Sequence, residues 1–200
     1  MKNYLCINGK KTELTKEQMK LLGIVDEPMV SLSEDGKTVK IGDYEFIVLK
    51  NDKTLGTVEL LLKNSLETMS FGSNNDYRTS RVRKVVEDFG KTIESIVGAE
   101  NIIEHTVDLV AMSGLKDFGC IKAKMSLLTF DKARENIELL DECKLDEYWW
   151  LATAFSTKKH DIDSLVMCVS PRGYLISNNS NCSNSGVRPF CILKSSIFQS

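Results

Sequence analysis

The spacing of apolar and polar positions predicts strands first and then one long helix in the first half of the chain. Short apolar runs separated by turn-forming residues predict strands at 30–32, 38–41, 44–49 and 57–62. Apolar residues then recur at helical spacing from Val82 to Val97, and Gly98 follows as a typical stop. Thr79 or Ser80 is positioned to cap the start of this helix.

The second half of the chain is dominated by short strand-like runs. The pattern predicts strands at 102–110, 124–130, 149–155, 165–169, 174–176 and 189–193, and a short amphipathic helix at 131–140. Because strands and helices are mixed and the last part is almost entirely strand-like, the fold class is predicted to be α+β with a β-rich C-terminal half.

The first residues read as a separate small unit. Two short runs flank Asn8-Gly9, a strong signal for a two-residue hairpin. A capping box follows, and the short helix that it begins is predicted to end at Gly23. Residues 1–25 are therefore predicted to form a ββα leader that docks on a main domain, residues 27–200, or on a partner.

Composition narrows the classes of function. The chain is 42% hydrophobic and 27% charged, with a formal net charge of −2, as in ordinary soluble globular proteins. So balanced a charge argues against nucleic-acid or membrane partners. Without an apolar N-terminal signal, we expect a cytoplasmic or virion-associated protein. The six cysteines are scattered and only two histidines are present, so we expect reduced thiols and neither a metal nor a cofactor.

Two motifs near the C-terminus carry a family resemblance. One is Trp149-Trp150-Leu151, and the other is Gly186-Val187-Arg188-Pro189. Together they resemble a family of bacterial and prophage proteins whose domains end in "WWL…GVRP". That family is similar to the C-type-lectin-like fold of formylglycine-generating enzymes and of variable proteins diversified by retroelements. The resemblance covers about residues 27–200 and implies a C-type-lectin-like domain there.

Five residues of these motifs are predicted to build the frame of the domain. Consecutive Trp149 and Trp150 on a strand point to opposite faces, so one fills the core and the other packs under a loop. Gly186 permits a sharp turn, and Pro189 favours the start of a strand. Arg188 is expected to donate several hydrogen bonds to loop carbonyls.

Recognition is predicted to belong to the polar segments between these motifs. Residues 177–185 are rich in Asn and Ser, and residues 156–164 form a second polar loop. In retroelement-diversified relatives, the region before the final strand carries the variable, ligand-facing residues. The predicted ligand-binding residues are Ser156, His160, Asp163, Arg172, Tyr174, Asn178, Asn179, Asn181 and Asn184.

Three functions compete. The leading hypothesis is a non-catalytic binding protein of phage or prophage type, with a protein or glycan ligand. The second is an intracellular accessory or counter-defence protein that inhibits a host protein, with the leader as one possible contact. The third is a thiol- or metal-dependent enzyme, for which Cys182 and Cys191 are the nearest analogues of the cysteine pair of formylglycine-generating enzymes. Their surroundings do not match that family's motif, and sequence cannot show whether any thiol meets His105 or His160, so we expect no catalysis.

Overall fold

The structure, a computed structural model, describes residues 4–7, 10–14 and 30–198 and is a mixed α+β fold in which strands predominate. Its strands are β1 (Tyr4–Ile7), β2 (Lys10–Glu13), β3 (Val30–Leu32), β4 (Thr38–Ile41), β5 (Tyr44–Asp52), β6 (Thr57–Leu62), β7 (Thr68–Met69), β8 (Ile102–Ile103), β9 (His105–Asp108), β10 (Cys120–Ala123), β11 (Met125–Leu127), β12 (Tyr148–Ala154), β13 (Leu165–Val169), β14 (Leu175–Asn179), β15 (Ser185–Gly186) and β16 (Pro189–Lys194). Its α-helices are α1 (Arg81–Val97), α2 (Phe130–Glu135) and α3 (Ile137–Glu142). The predicted α+β class is confirmed.

A seven-stranded antiparallel sheet joins the two halves of the chain. Its order is β11-β16-β6-β5-β4-β3, and β8 also pairs with β16. The last strand of the chain therefore lies between a first-half strand and a second-half strand, with Phe190 opposite both Leu61 and Ser126. The predicted bounds of β3, β4 and β6 are confirmed, whereas β5 continues three residues beyond its predicted end at Leu49.

Helix α1 covers one face of this sheet and forms as its sequence predicts. The Ser80 hydroxyl accepts a hydrogen bond from the Arg83 N–H at 3.0 Å, and Gly98 ends the helix with a φ of +84°. Its apolar face is buried in the larger of two hydrophobic cores, which contains Val82, Val86, Phe89, Ile93 and Val97. Burial of this stripe, rather than intrinsic helix propensity, accounts for most of the stability of such a helix.

A five-stranded sheet in the order β14-β13-β12-β15-β7 forms the C-terminal part. Trp149 and Trp150 lie on β12, which is central in this sheet, and both are buried. Trp150 belongs to the larger core, and Trp149 belongs to a smaller core that also contains Phe190. Both faces of β12 are therefore covered by a hydrophobic core, as the opposite orientation of consecutive side chains on a strand requires.

Gly186 and Arg188 serve the frame in a different way from the prediction. Gly186 lies in β15 and has no positive φ; a side chain there would collide with Ser65 and Glu147, so close packing requires glycine. Arg188 is fully buried and donates from Nε to the Leu62 carbonyl at 2.6 Å, but Nη1 and Nη2 find no hydrogen-bond partner among the described residues. Its guanidinium lies instead 5.0 Å from the Trp149 ring centroid.

The other predicted frame residue behaves as expected: Pro189 begins β16 opposite Leu127. The single helix predicted at 131–140 is divided at Asn136, because this residue donates its side-chain amide to the Lys132 carbonyl at 2.9 Å and leaves helical geometry. Likewise, the strand predicted at 102–110 is divided into β8 and β9.

The predicted N-terminal hairpin is present, with β1 and β2 paired and Ile7 opposite Lys10. The helix predicted to follow it lies outside the described residues. Within the part of the chain that is described, no helix is both long and apolar enough to cross a membrane.

Candidate recognition surface

The hairpin formed by β13 and β14 organises most of the predicted ligand-binding residues. Its turn is closed by a bond from the Ser170 N–H to the Tyr174 carbonyl at 2.9 Å and by a bond from the Tyr174 N–H to the Ser170 hydroxyl at 3.1 Å. Gly173 occupies the left-handed region there, with a φ of +82° beside Asp141. A local network therefore fixes the turn and leaves its outer side chains to solvent.

An exposed apolar patch lies at this turn. Tyr174 is 63% exposed and Ile176 is 36% exposed, and together with Arg172 and Tyr148 they line a shallow pocket of about 340 Å³. We call these four residues the hairpin patch. Ile176 pairs with Cys168 across the hairpin, and Cys168 pairs with Trp150 on the next strand. Their side chains therefore lie on the same face of the sheet, and the hairpin patch is the exposed edge of the face that buries Trp150. Tyr148 and Ile176 were not among the predicted ligand-binding residues. Because alternate side chains of a strand share one face, the predicted residue Tyr174 was the signal that could have indicated Ile176.

The Asn/Ser segment is more ordered than predicted. Its first residues, Ser177 to Asn179, belong to β14 rather than to a loop. Asn178 Oδ1 accepts from the Asn179 N–H at 2.9 Å and from the Cys182 thiol at 3.1 Å, and Asn179 Oδ1 accepts from the Asn181 N–H at 3.0 Å. The side-chain oxygens of Asn178 and Asn179 therefore brace the turn, while Asn181 and Asn184 are exposed.

The backbone of the loop at 156–164 is held by a buried residue that was not predicted to belong to the site. Asn75 is buried and donates its side-chain amide to the carbonyls of Ser156 at 2.9 Å and Leu165 at 3.1 Å. Ser156 is itself only 1% exposed, so it is part of the support rather than a contact residue, contrary to the prediction. His160 and Asp163 are exposed.

The predicted ligand-binding residues fall into two groups at opposite ends of the β13–β14 hairpin. Ser180 donates its N–H to the Ser164 carbonyl at 2.6 Å, so the two polar segments meet at one end. Arg172 and Tyr174 lie at the other end, about 16 Å away at 3.3 Å per residue. One continuous surface through all nine residues is therefore too long for a small ligand.

Of the two predicted cysteine analogues, Cys191 does not have the surroundings of a reactive thiol. It is buried in β16, and burial raises its pKa to about 12. Burial also raises the pKa of Cys168, which interacts electrostatically with Cys182, to about 12. Such thiols are protonated at neutral pH and are poor nucleophiles. Among the described residues, no three His, Cys, Asp or Glu side chains gather as a metal site.

The comparisons with known proteins give one match. Residues 100–195, just under half of the chain, match the model of a family described as a domain of unknown function, DUF6273. This part includes all the predicted ligand-binding residues and the hairpin patch. No curated protein and no solved structure matches the chain.

Proposed function

We propose that this protein is a binding protein whose ligand contacts the hairpin patch. The observation that carries the proposal is an exposed tyrosine beside an exposed isoleucine on the edge strand of a sheet. Large apolar side chains grouped on a surface mark interaction sites more often than isolated ones do. Arg172 stands at the rim of the same pocket, and tyrosine and arginine are the residues most enriched among binding hot spots.

A protein ligand fits the hairpin patch better than a glycan does. Strand β14 is at the edge of its sheet, and no described strand pairs with its outer side. Tyr174 and Ser180 direct backbone groups toward β13, so alternation directs those of Leu175 and Ser177 outward. An extended peptide is able to pair with such an edge while its side chains contact Tyr174 and Ile176.

The scaffold that we propose is C-type-lectin-like, and the protein would be of phage or prophage type. Support comes from the residues that carry the resemblance. Four of them are buried in the interior of the domain: Trp149, Trp150, Arg188 and Pro189. These positions frame the domain, which leaves recognition to the segments between them.

The test compares one triple variant with a matched control. Arg172→Ala/Tyr174→Ala/Ile176→Ser truncates three of the four side chains of the hairpin patch, and Leu55→Ala removes a 72%-exposed apolar side chain from the turn between β5 and β6. Partners captured from a bacterial lysate are identified, purified and measured by calorimetry, and a glycan array is run in parallel. The triple variant should bind at least about tenfold more weakly, because each hot-spot side chain contributes about 1–2 kcal/mol. Equal affinity of wild type and triple variant would remove the hairpin patch from the binding account.

The alternative role, inhibition of a host protein through the leader, is separated by a deletion. Strands β1 and β2 pair only with each other among the described residues. Removal of residues 1–25 should leave binding unchanged if the hairpin patch is the contact surface. It should abolish binding if the leader is the contact surface, and the triple variant should then bind normally.

A further inference from the structure

A small cleft lies on the face of the seven-stranded sheet opposite helix α1. Its volume is about 200 Å³, and its walls come from β6, β9, β11 and β16 and from the start of α2. Phe190 and Leu128 supply apolar walls, while Glu59, His105 and Ser126 supply polar groups. No residue of the cleft belongs to the hairpin patch.

Ser126 and His105 meet inside this cleft. The Ser126 Oγ lies 3.0 Å from His105 Nε2, although the two residues are 21 positions apart in the chain. Ser126 is 1% exposed and lies on β11, and the imidazole is held edge-on against the Phe190 ring at 5.2 Å between centroids. Packing thus limits the rotation of both side chains and keeps the hydroxyl next to the ring.

The surroundings keep the imidazole neutral. Burial lowers the pKa of His105 below its ordinary value, and the Ile103 carbonyl and the charge of Glu59 oppose this shift only in part. At neutral pH the ring therefore has one nitrogen free to accept a proton. In the tautomer that carries its proton on Nδ1, this acceptor is Nε2, the atom next to the Ser126 hydroxyl. That tautomer leaves the buried Nδ1 proton without a well-formed hydrogen bond among the described residues.

An ion pair brings an ammonium group into the same space, with its charge balanced by the carboxylate of Glu59. Lys132 Nζ lies 2.6 Å from Glu59 Oε2, and the Lys132 side chain is 27% exposed. An ammonium group has three donors, so the contact with Glu59 leaves N–H groups for another oxygen. A cation in a partly desolvated cleft stabilises negative charge that develops on a reacting oxygen.

We propose that Ser126 is a nucleophile and His105 its general base, in a site that cleaves small uncharged acyl esters. In the first step, Ser126 Oγ forms a bond to the ester carbonyl carbon and the bond from that carbon to the alkoxide oxygen breaks. The proton of Ser126 moves to His105 Nε2 and then to the departing alkoxide. Water then attacks the acyl-serine in the same manner, releases the carboxylic acid and restores Ser126.

The dimensions of the cleft restrict the acyl group. Ligand pockets for drug-sized molecules usually have volumes of about 300–1,000 Å³, so this cleft fits acetyl or propionyl groups better than long chains. Phe190, Leu128 and Val107 line it, which favours an uncharged acyl group over a charged one.

The test uses small sulfonyl fluorides, which react with an activated serine by forming an oxygen–sulfur bond and releasing fluoride. The full chain is incubated with methanesulfonyl fluoride, and the modified residue is mapped by peptide mass spectrometry. Label on Ser126 is expected in the wild type. Because general-base catalysis contributes about 10²- to 10⁴-fold, His105→Gln should label at least about a hundredfold more slowly.

The structure supplies a matched control for this variant. Ser156 is also buried beside a histidine, but its Oγ lies 3.4 Å from His160 Nδ1 and it lines none of the walls of the cleft. His160→Gln should therefore label Ser126 at the wild-type rate. The labelling rate should also rise with pH to a plateau, with its midpoint below pH 6.5, the ordinary pKa of histidine. A packing role alone would give no such profile.

Hydrolysis of p-nitrophenyl acetate gives a second readout. Ser126→Ala should reduce turnover to the level of the buffer, and its circular dichroism spectrum and urea midpoint show whether it folds. If Ser126→Ala does not fold, the proposal is tested by the label mapped to Ser126 in the wild type and by the slower labelling of His105→Gln. Absence of label on Ser126 in folded wild-type protein, or a labelling rate that does not depend on His105, would overturn the proposal.

Discussion

The hairpin patch and the Ser126–His105 cleft differ in how the fold uses their side chains. The hairpin patch consists mainly of apolar groups left in solvent, with Tyr174 at 63% exposed. The cleft consists of polar groups removed from solvent, with Ser126 at 1% exposed. The first arrangement contributes little to folding, and the second buries polar groups that need partners. Within the described residues, His105 Nδ1 finds no hydrogen-bond partner.

This difference teaches how each region is to be tested. Arg172 and Tyr174 of the hairpin patch are exposed and are replaceable without disturbing the core, so a change in binding reports on recognition itself. Side chains of the cleft contribute to the packing of β9, β11 and β16, so each substitution there needs an independent measure of folding.

The largest effect should come from a residue on which both regions depend. Trp150 is fully buried in the larger core, donates its indole N–H to the Met69 carbonyl at 2.9 Å and packs edge-on against Phe71. Trp150→Ala should lower the free energy of unfolding by about 3–5 kcal/mol, as truncation of large buried aromatics does. Equilibrium urea unfolding measures this change.

Trp150→Phe is the control for that experiment, because it keeps an aromatic ring and loses only part of the volume and the indole N–H. It should lose clearly less stability than Trp150→Ala. A loss of under 1 kcal/mol in Trp150→Ala would show that the hairpin is stable without the larger core. The hairpin patch and the cleft would then not depend on the same core.

Local patterns in the sequence predicted a large part of the fold. The strands β3, β4, β6 and β13 have the predicted bounds, since each is a short apolar run between turn formers. Helix α1 begins after Ser80, one of the two predicted caps, and ends at the predicted Gly98. These features depend on residues within a few positions of one another, which a single sequence displays.

Features that depend on distant residues were not predictable in this way. Asn75 braces a loop more than 80 positions later, and Ser126 meets His105 only because β11 and β9 are brought to one cleft. A thiol was the partner considered for His105 in the sequence, whereas the structure places the Ser126 hydroxyl there. Asn178 was predicted to contact a ligand, but its oxygen is occupied by its own turn, a local competition that composition does not reveal.

The stability of the protein should depend on pH through His105 in the cleft. Burial lowers the pKa of His105 in the folded state relative to the unfolded state, so the unfolded chain binds the additional proton first as pH falls. The contribution of His105 to stability is therefore present above about pH 6.5 and is lost as pH falls through the lower folded-state pKa. Each unit of difference between the two pKa values corresponds to about 1.4 kcal/mol.

Urea unfolding of the wild type and of His105→Gln between pH 7.5 and 5 isolates this contribution, since the carboxylates titrate in both proteins. The wild type should lose more stability than His105→Gln over this interval. An equal dependence of stability on pH in the two proteins would mean that the imidazole is as accessible to protons in the folded chain as in the unfolded one. The cleft would then not be a buried region that differs from the exposed hairpin patch.

The smallest effect should come from the hairpin patch. Tyr174 is 63% exposed just before the edge strand β14, and the turn beside it is closed by Ser170 and Gly173 rather than by its side chain. Tyr174→Ala should change the free energy of unfolding by no more than about 0.5 kcal/mol, as most surface substitutions do. Asn178→Ala is the informative control, because it removes the acceptor that braces the same segment and should lose about 1 kcal/mol. If Tyr174→Ala were more destabilising than Asn178→Ala, the tyrosine would be part of the frame. Its exposure would then have to be explained by packing against the hairpin rather than by a ligand.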